Sequence, residues 1–193
     1  MTRAVFLDRD GVINRYPGDG KYVTSVKEFR FLPKVKEAIA LLTAHKYSVF
    51  IISNQAGLAK GLYSRKALDE ITNYMFRELA LHNAEIHGVF YCLHRDEDNC
   101  SCRKPKTGLI MSALSSARGK QLRLKDSFFV GDSIRDIQTA KAAGCRSILV
   151  FSGQEKPANR DNWPVQPDYV FPDLYQAAKF IIQKNKGSMV NGL

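Results

Sequence analysis

Five short runs of consecutive apolar residues recur along this chain, at positions 5–7, 49–52, 89–91, 128–130 and 148–151, with amphipathic stretches between them. A strand with one wet face alternates polar and apolar residues, whereas a strand that is apolar at every position is buried on both faces. Such runs separated by helical stretches specify a parallel sheet with helices packed on each side. The intervening segments carry that helical period. Val35, Ala38, Ile39 and Leu42 follow Pro33, an early helix position. Leu68, Ile71, Met75 and Leu79 follow Ser64, whose hydroxyl suits a helix N-cap. Ile110, Ala113, Leu114 and Ala117 form a third apolar face behind Thr107, and a fourth helix from about 133 to 143 stops at Gly144. Leu174, Ala177, Ala178 and Ile181 mark a last helix. The expected fold class is therefore α/β, a Rossmann-like parallel sheet with helices on both faces. The 193 residues suit a single domain over 1–183, with 184–193 as a flexible tail.

Several function classes are excluded at this level. The first apolar stretch meets Asp8 after only four residues, too short for a signal-peptide core or a membrane span, so a cytoplasmic location is expected. The formal charge of +10 is spread over both halves of the chain, with no basic run of five or more. A diffuse positive field draws small anions rather than a nucleic-acid strand. The expected partner is thus a small phosphorylated molecule, with no nucleic acid, no membrane and a monomeric chain.

What each strand delivers at its end narrows the chemistry. The first run ends in Asp8-Arg9-Asp10-Gly11-Val12, the second in Ser53-Asn54-Gln55 and the fourth in Gly131-Asp132. In open α/β sheets ligands bind at the carboxyl ends of the strands, so three strands place phosphate- or metal-competent groups on one rim. Magnesium takes hard oxygen ligands; Asp8 and Asp132 supply carboxylates, with a backbone carbonyl near Asp10 as a third ligand. Ser53 and Asn54 can donate to phosphate oxygens, and Lys104 adds a positive charge. Asp8 as nucleophile divides phosphate-ester hydrolysis into formation and breakdown of an aspartyl-phosphate. Asp10, two residues on, handles the proton in both halves.

These residues carry a family resemblance. Asp8-Arg9-Asp10-Gly11-Val12, Ser53-Asn54, Lys104-Pro105 and Gly131-Asp132-Ser133-Ile134-Arg135-Asp136 are similar to the four ordered motifs of the haloacid-dehalogenase superfamily of phosphatases. The resemblance runs from residue 3 to about residue 150 and implies a phosphoric monoester hydrolase. It makes Asp8 the nucleophile, Asp10 the acid and base, Ser53 and Lys104 the phosphate ligands and Asp132 a magnesium ligand, with Asp136 orienting its neighbours.

A second cluster lies between the third strand and Lys104. Cys92, His94, Cys100 and Cys102 offer three thiolates and an imidazole, a closed tetrahedral set for zinc with no open position. The metal is expected to be structural and to shape the loop that ends in Arg103-Lys104. With Ser53-Asn54-Gln55-Ala56-Gly57, this loop resembles the branch of the superfamily that contains histidinol-phosphate and heptose-bisphosphate phosphatases, in which cap domains are minimal. The stretches 59–64 and 167–174 resemble the heptose enzymes more, while the short gap from His94 to Cys100 resembles the histidinol-phosphate enzymes. Selectivity then falls to the loops 14–22 and 56–61 and to the zinc loop 92–104. Gln55 and Arg103 complete the expected substrate-binding set. A second phosphate on the substrate would meet Arg103, Lys60 or Lys106, whereas a cationic amine would want Asp96, Glu97 or Asp98. A zinc-stabilised binding module that has lost catalysis is the reading from another class, and it has no need of Asp8, Asp10, Lys104 and Asp132 together.

Overall fold

The computed structural model describes residues 3–117 and 122–190. Six strands, β1 (Ala4–Leu7), β2 (Ser48–Asn54), β3 (Gly88–Cys92), β4 (Phe128–Gly131), β5 (Arg146–Val150) and β6 (Tyr169–Phe171), form one sheet in the order β3-β2-β1-β4-β5-β6. Every pairing is parallel. The helices are α1 (Val35–Ala44), α2 (Arg65–Ala80), α3 (Gly108–Ser116), α4 (Ile134–Ala143) and α5 (Leu174–Val190).

Side-chain alternation sorts the core into two layers. Val5 and Leu7 of β1, with Val49, Ile51, Val130 and Ile148, pack against Ala38 and Ile39 of α1, Ile71 and Met75 of α2, and Ala177 and Ile181 of α5. Ala4 and Phe6, with Phe50, Ile52 and Phe129, pack on the other face against Ile110 and Ala113 of α3 and Ala140 of α4. The Phe6 ring stacks on Phe50 at 5.7 Å and on Phe129 at 6.4 Å between centroids. Both sides of β1 are therefore dry, as its unbroken apolar run requires.

The ends of the elements differ from the sequence reading in four places. Pro33 lies outside α1, because Lys34 adopts a left-handed conformation (φ 58°) and the helix starts only after it. Leu109 is buried on α3, while Ala117 is the C-cap beyond the helix. β6 has no counterpart among the five expected runs; three half-buried residues at a sheet edge leave too short a pattern to read. α5 continues to Val190, through most of the segment expected as a tail, and residues 191–193 lie outside the described residues. The N-cap of α2 follows the reading, with the Ala67 N–H donating to Ser64 Oγ at 3.1 Å. Gly144 ends α4 in the left-handed region at φ 73°.

The chain proceeds outward from β1 through β2 to β3, then returns to place β4 on the other side of β1. The strand order reverses between β1 and β4, and the crevice at their carboxyl ends is where open α/β sheets hold ligands. No helix among the described residues is long and apolar enough to cross a membrane.

Candidate active site

Asp8 follows β1 directly, and its N–H donates to the Val130 carbonyl at 3.0 Å, so the first acid is bound to the neighbouring strand as it leaves the sheet. Asp132 follows β4 directly, and Asp136 lies in the first turn of α4. One carboxylate oxygen from each of Asp8, Asp132 and Asp136 lies within 4.8 Å of the others. The Lys104 ammonium enters from the zinc loop and sits 2.9 Å from Asp8 Oδ2 and 2.6 Å from Asp136 Oδ1. Lys104 thus bridges two of the three acids, and Asp132 stands beside them without a cation in contact among the described residues. Burial, helped by the charges of Asp136 and Asp10 and opposed by Lys104, raises the Asp8 carboxyl to about 6. Burial and the charges of Asp8 and Asp136 push Asp132 up as well. For Lys104, burial works against the charge, but Asp136 and Asp8 outweigh it and hold the ammonium above its ordinary range.

Asp132 is seated against bare backbone. Gln154 N–H donates to its Oδ2 at 2.8 Å. A Cβ on Gly11 would lie 2.0 Å from that oxygen, and one on Gly153 would lie 1.9 Å from it. Asp136 accepts from the Ser133 N–H at 3.1 Å and from its hydroxyl at 2.6 Å. It therefore orients Ser133 and Lys104, and it also stands as the third member of the carboxylate group.

The Asp10 carboxylate turns away from that group. Arg9 Nη2 donates to both its oxygens at 3.1 and 3.0 Å, Asn14 Nδ2 to Oδ1 at 2.8 Å and Gln55 Nε2 to Oδ2 at 2.8 Å. Arg9 is fully buried, with its guanidinium carbon 5.8 Å from the centre of the Tyr91 ring. Tyr63 in turn donates to Gln55 Oε1 at 2.8 Å. Gln55, expected to meet the substrate, instead braces Asp10 from behind and is absent from the cavity wall. Asn54 exchanges hydrogen bonds with the Lys104 backbone, donating to its carbonyl at 3.2 Å and accepting from its N–H at 3.1 Å.

A cavity of about 270 Å³ opens over these groups, lined by Asp8, Asp10, Ser53, Asn54, Lys104 and Asp132 at its floor. Tyr16 to Tyr22, Arg103, Ser133, Arg135 and Gln154 complete its wall. Tyr63 and the Gly153-Gln154 turn were not singled out from sequence as site residues; Asn14 opens the loop 14–22 read for selectivity, and Arg9 and Arg135 stand inside the motifs with no role given to them. Applying the strand-end rule to the fifth run as well as to the first, second and fourth would have found the turn after β5. Nothing in the local pattern marks Tyr63.

Cys92, at the end of β3, meets the zinc-loop residues. Its Sγ lies 3.6 Å from Cys100 Sγ and 3.2 Å from Cys102 Sγ, and the latter two are 3.4 Å apart. His94 Nδ1 lies 3.2 Å from Cys102 Sγ and 3.7 Å from Cys92 Sγ. A zinc tetrahedron with thiolate bonds of about 2.3 Å has edges of roughly 3.8 Å, so the four donors fit that ion. Lys60 stands over the Tyr22 ring, and Lys106 donates to the Asn99 and Cys100 carbonyls. Neither lysine reaches the cavity wall. The three acids of the loop tip are engaged within the loop: Asp96 with Arg103, Glu97 with Arg95 Nη1 at 3.6 Å, and Asp98 with the Arg95 N–H at 2.8 Å.

Comparison with known proteins agrees with this arrangement. Residues 101–177 match the HAD-hydrolase-like family model. The chain is 34% identical to the D-glycero-beta-D-manno-heptose-1,7-bisphosphate 7-phosphatase of Neisseria meningitidis serogroup A, covering 95% of this chain and 96% of that protein. It is also 34% identical to the D-glycero-alpha-D-manno-heptose-1,7-bisphosphate 7-phosphatase of Campylobacter jejuni, over 80% of this chain and 86% of that one. The crystal structure of D,D-heptose 1,7-bisphosphate phosphatase from B. bronchiseptica, complexed with magnesium and phosphate, superposes with a TM-score of 0.85 at 34% identity, covering 95% of this chain and 99% of that chain. With identity at this level sustained over nearly the whole length and the same fold, the chain belongs to the heptose-1,7-bisphosphate 7-phosphatase family of HAD-like hydrolases.

Proposed function

We propose that this protein is a magnesium-dependent phosphatase that removes the 7-phosphate of D-glycero-D-manno-heptose 1,7-bisphosphate through an aspartyl-phosphate on Asp8. The observation that carries the reaction type is the convergence of Asp8, Asp132, Asp136 and Lys104 under one cavity at the strand-order reversal. Three buried carboxylates facing one ammonium carry uncompensated negative charge, and a hard divalent cation fits that set. Asp8 and Asp132, with a backbone carbonyl at Asp10, would hold magnesium, which when bound neutralises and orients phosphoryl oxygens. Lys104, Ser53 and Asn54 hold the phosphate. An Asp8 carboxylate oxygen attacks phosphorus, the bond from phosphorus to the sugar oxygen breaks, and Asp10 gives its proton to the departing alkoxide. Asp10 then takes a proton from the water that attacks the phospho-aspartate, releasing inorganic phosphate and restoring Asp8. Arg9, Asn14 and Gln55 position Asp10 for both transfers. Zinc holds the loop that carries Lys104 and takes no part in the chemistry.

Gly153 offers a test of the cation seat that leaves the identity of every functional side chain unchanged. Gly153→Ala drives a methyl group into Asp132, and displacing a group by about 1 Å costs on the order of 10²-fold in rate. Titrating magnesium against activity should show a higher half-saturating concentration and a kcat lowered by about that factor. Wild-type magnesium dependence in this variant would count against Asp132 as a ligand.

The substrate assignment rests on the relatives and on the state of the zinc-loop acids. Histidinol phosphate carries a cationic amine, yet Asp96 and Glu97 are already paired with Arg103 and Arg95, and Asp98 accepts the Arg95 backbone N–H. Heptose 1,7-bisphosphate should therefore give a kcat/KM at least about tenfold above histidinol phosphate, a difference of about 1.4 kcal/mol. A steady-state comparison of the two with magnesium present decides it, and a tenfold preference for histidinol phosphate would overturn the substrate while leaving the reaction type. We also infer a working monomer in the cytoplasm, where reduced thiols are available for zinc.

A further inference from the structure

Arg103 lines the catalytic cavity next to Lys104, yet its guanidinium is already occupied. Its Nε and Nη2 form a two-pronged contact with both Asp96 carboxylate oxygens, the second at 3.0 Å, and Nη1 donates to the His94 carbonyl at 3.4 Å. The two partners differ in setting: the Arg103 side chain is 12% exposed, and that of Asp96 is 72% exposed. The arginine is thus the fixed member, built into the wall, and the carboxylate is the member that solvent can take back. Arg135 and Lys60 also act on Asp96 electrostatically, and Arg135 lines the same cavity with no hydrogen-bond partner for its guanidinium among the described residues. A carboxylate seated on an arginine fork occupies the two donors with which arginine takes two oxygens of a phosphate.

We propose that Asp96 is an internal stand-in for the distal phosphate of the substrate, holding Arg103 in the free protein and yielding it when a bisphosphate binds. Arg135 is the second cation that meets the incoming group. The inference rests on the bisphosphate reading above. Asp96 is in this sense a specificity-determining residue: it sets a threshold that a distal group must exceed before it gains Arg103. A phosphate dianion exceeds it, because its charge is greater than that of a carboxylate and an exposed ion pair is weak. A substrate without a distal phosphate leaves the pair intact.

The test compares heptose 1,7-bisphosphate with heptose 7-phosphate, which presents the same reacting end without the distal group. Asp96→Asn keeps the shape of the side chain and removes its charge. For the bisphosphate, KM should fall by about two- to fivefold, the range an exposed pair commands, with kcat unchanged. For heptose 7-phosphate neither constant should move. Asp96→Glu should restore wild-type values, and Asp96→Asn should have no effect on an Arg103→Ala background, since the pair acts through that one arginine. An unchanged or higher KM for the bisphosphate, an equal shift for both substrates, or a shift that persists without Arg103 overturns the inference while leaving the phosphatase reading in place. So does loss of zinc from Asp96→Asn, which would make its role structural. If the wild-type protein turns over neither heptose substrate, the bisphosphate reading fails and this inference falls with it.

Discussion

Asp8→Asn should abolish turnover, by a factor on the order of 10⁴ or more, while raising the melting temperature of the metal-free protein. The amide has nearly the shape of the carboxylate but is a far poorer nucleophile, so no phospho-enzyme forms at a useful rate. The stability gain follows from the same geometry. Burial and the neighbouring acids raise the Asp8 carboxyl to about 6. The folded chain therefore holds that proton more tightly than the unfolded chain does. By linkage the ionised group contributes least to stability above that value, where assays near neutrality are run. Removing the charge relieves the repulsion among Asp8, Asp132 and Asp136, and Lys104 keeps its 2.6 Å contact with Asp136. A gain of about 1 kcal/mol, worth about 2–4 °C in a chain of this size, is the expected scale. Asp10→Asn should also be inactive, through loss of proton transfer. Assays with magnesium, thermal melts in chelator and mass spectrometry for a phosphorylated Asp8 check these outcomes together. Activity in Asp8→Asn within tenfold of wild type would remove Asp8 from the mechanism.

Loss of the zinc site should have the largest effect on stability. The purified protein should carry about one zinc per chain, and Cys102→Ser should lose it, because Cys102 Sγ is within 3.4 Å of each of the other three donors. Zinc binding in small zinc-finger peptides supplies on the order of 10 kcal/mol, as much as the whole net stability of a typical domain. The loop spans from the end of β3 to Lys104, and its other ties among the described residues are hydrogen bonds, the ion pairs of Asp96, Glu97 and Lys104, and the packing of Cys100 and Cys102 against the core. Those ties include Lys106 to Asn99 and Cys100, and Arg95 to the Ala59 carbonyl. The expected cost is more than about 4 kcal/mol. Activity should fall in parallel, since Arg103 and Lys104 follow the last ligand directly. Elemental analysis, calorimetry and recovery of activity on adding zinc back to chelated protein measure the effect. Cys145, buried beside α4 and outside the cluster, supplies the control: Cys145→Ala should leave zinc content unchanged. Folded, active protein without zinc would reject the site.

Much of the site was legible because its parts are local in sequence. An apolar run followed by Asp8-x-Asp10 states a buried strand and its functional end in one stretch, and the zinc donors lie within eleven residues of each other. Gln55 was placed by the same logic, and its amide meets Asp10. A residue's position at a strand end says that it is near the rim, whereas the direction of its side chain depends on what Asp10 and Tyr63 offer it. Asp136 was read as an orienting group, and only the packing of α4 against β4 brings it within reach of both Asp8 and Lys104. The sixth strand was missed because three half-buried residues at an edge carry no distinctive period.

By itself the sequence determined the layered α/β architecture, five of the six strands, the faces of the helices and the two chemical clusters, because burial on both faces and ligand spacing are written in consecutive residues. The tertiary structure alone decided that β4 lies beside β1, that three acids converge with Lys104 bridging two of them, that Asp10 is held from behind by Arg9 and Gln55, and that Asp96 occupies Arg103. Each of these pairs residues far apart in the chain or fixes a side-chain direction. Such choices are set by the competition among all buried polar groups for partners, which no local window of sequence contains.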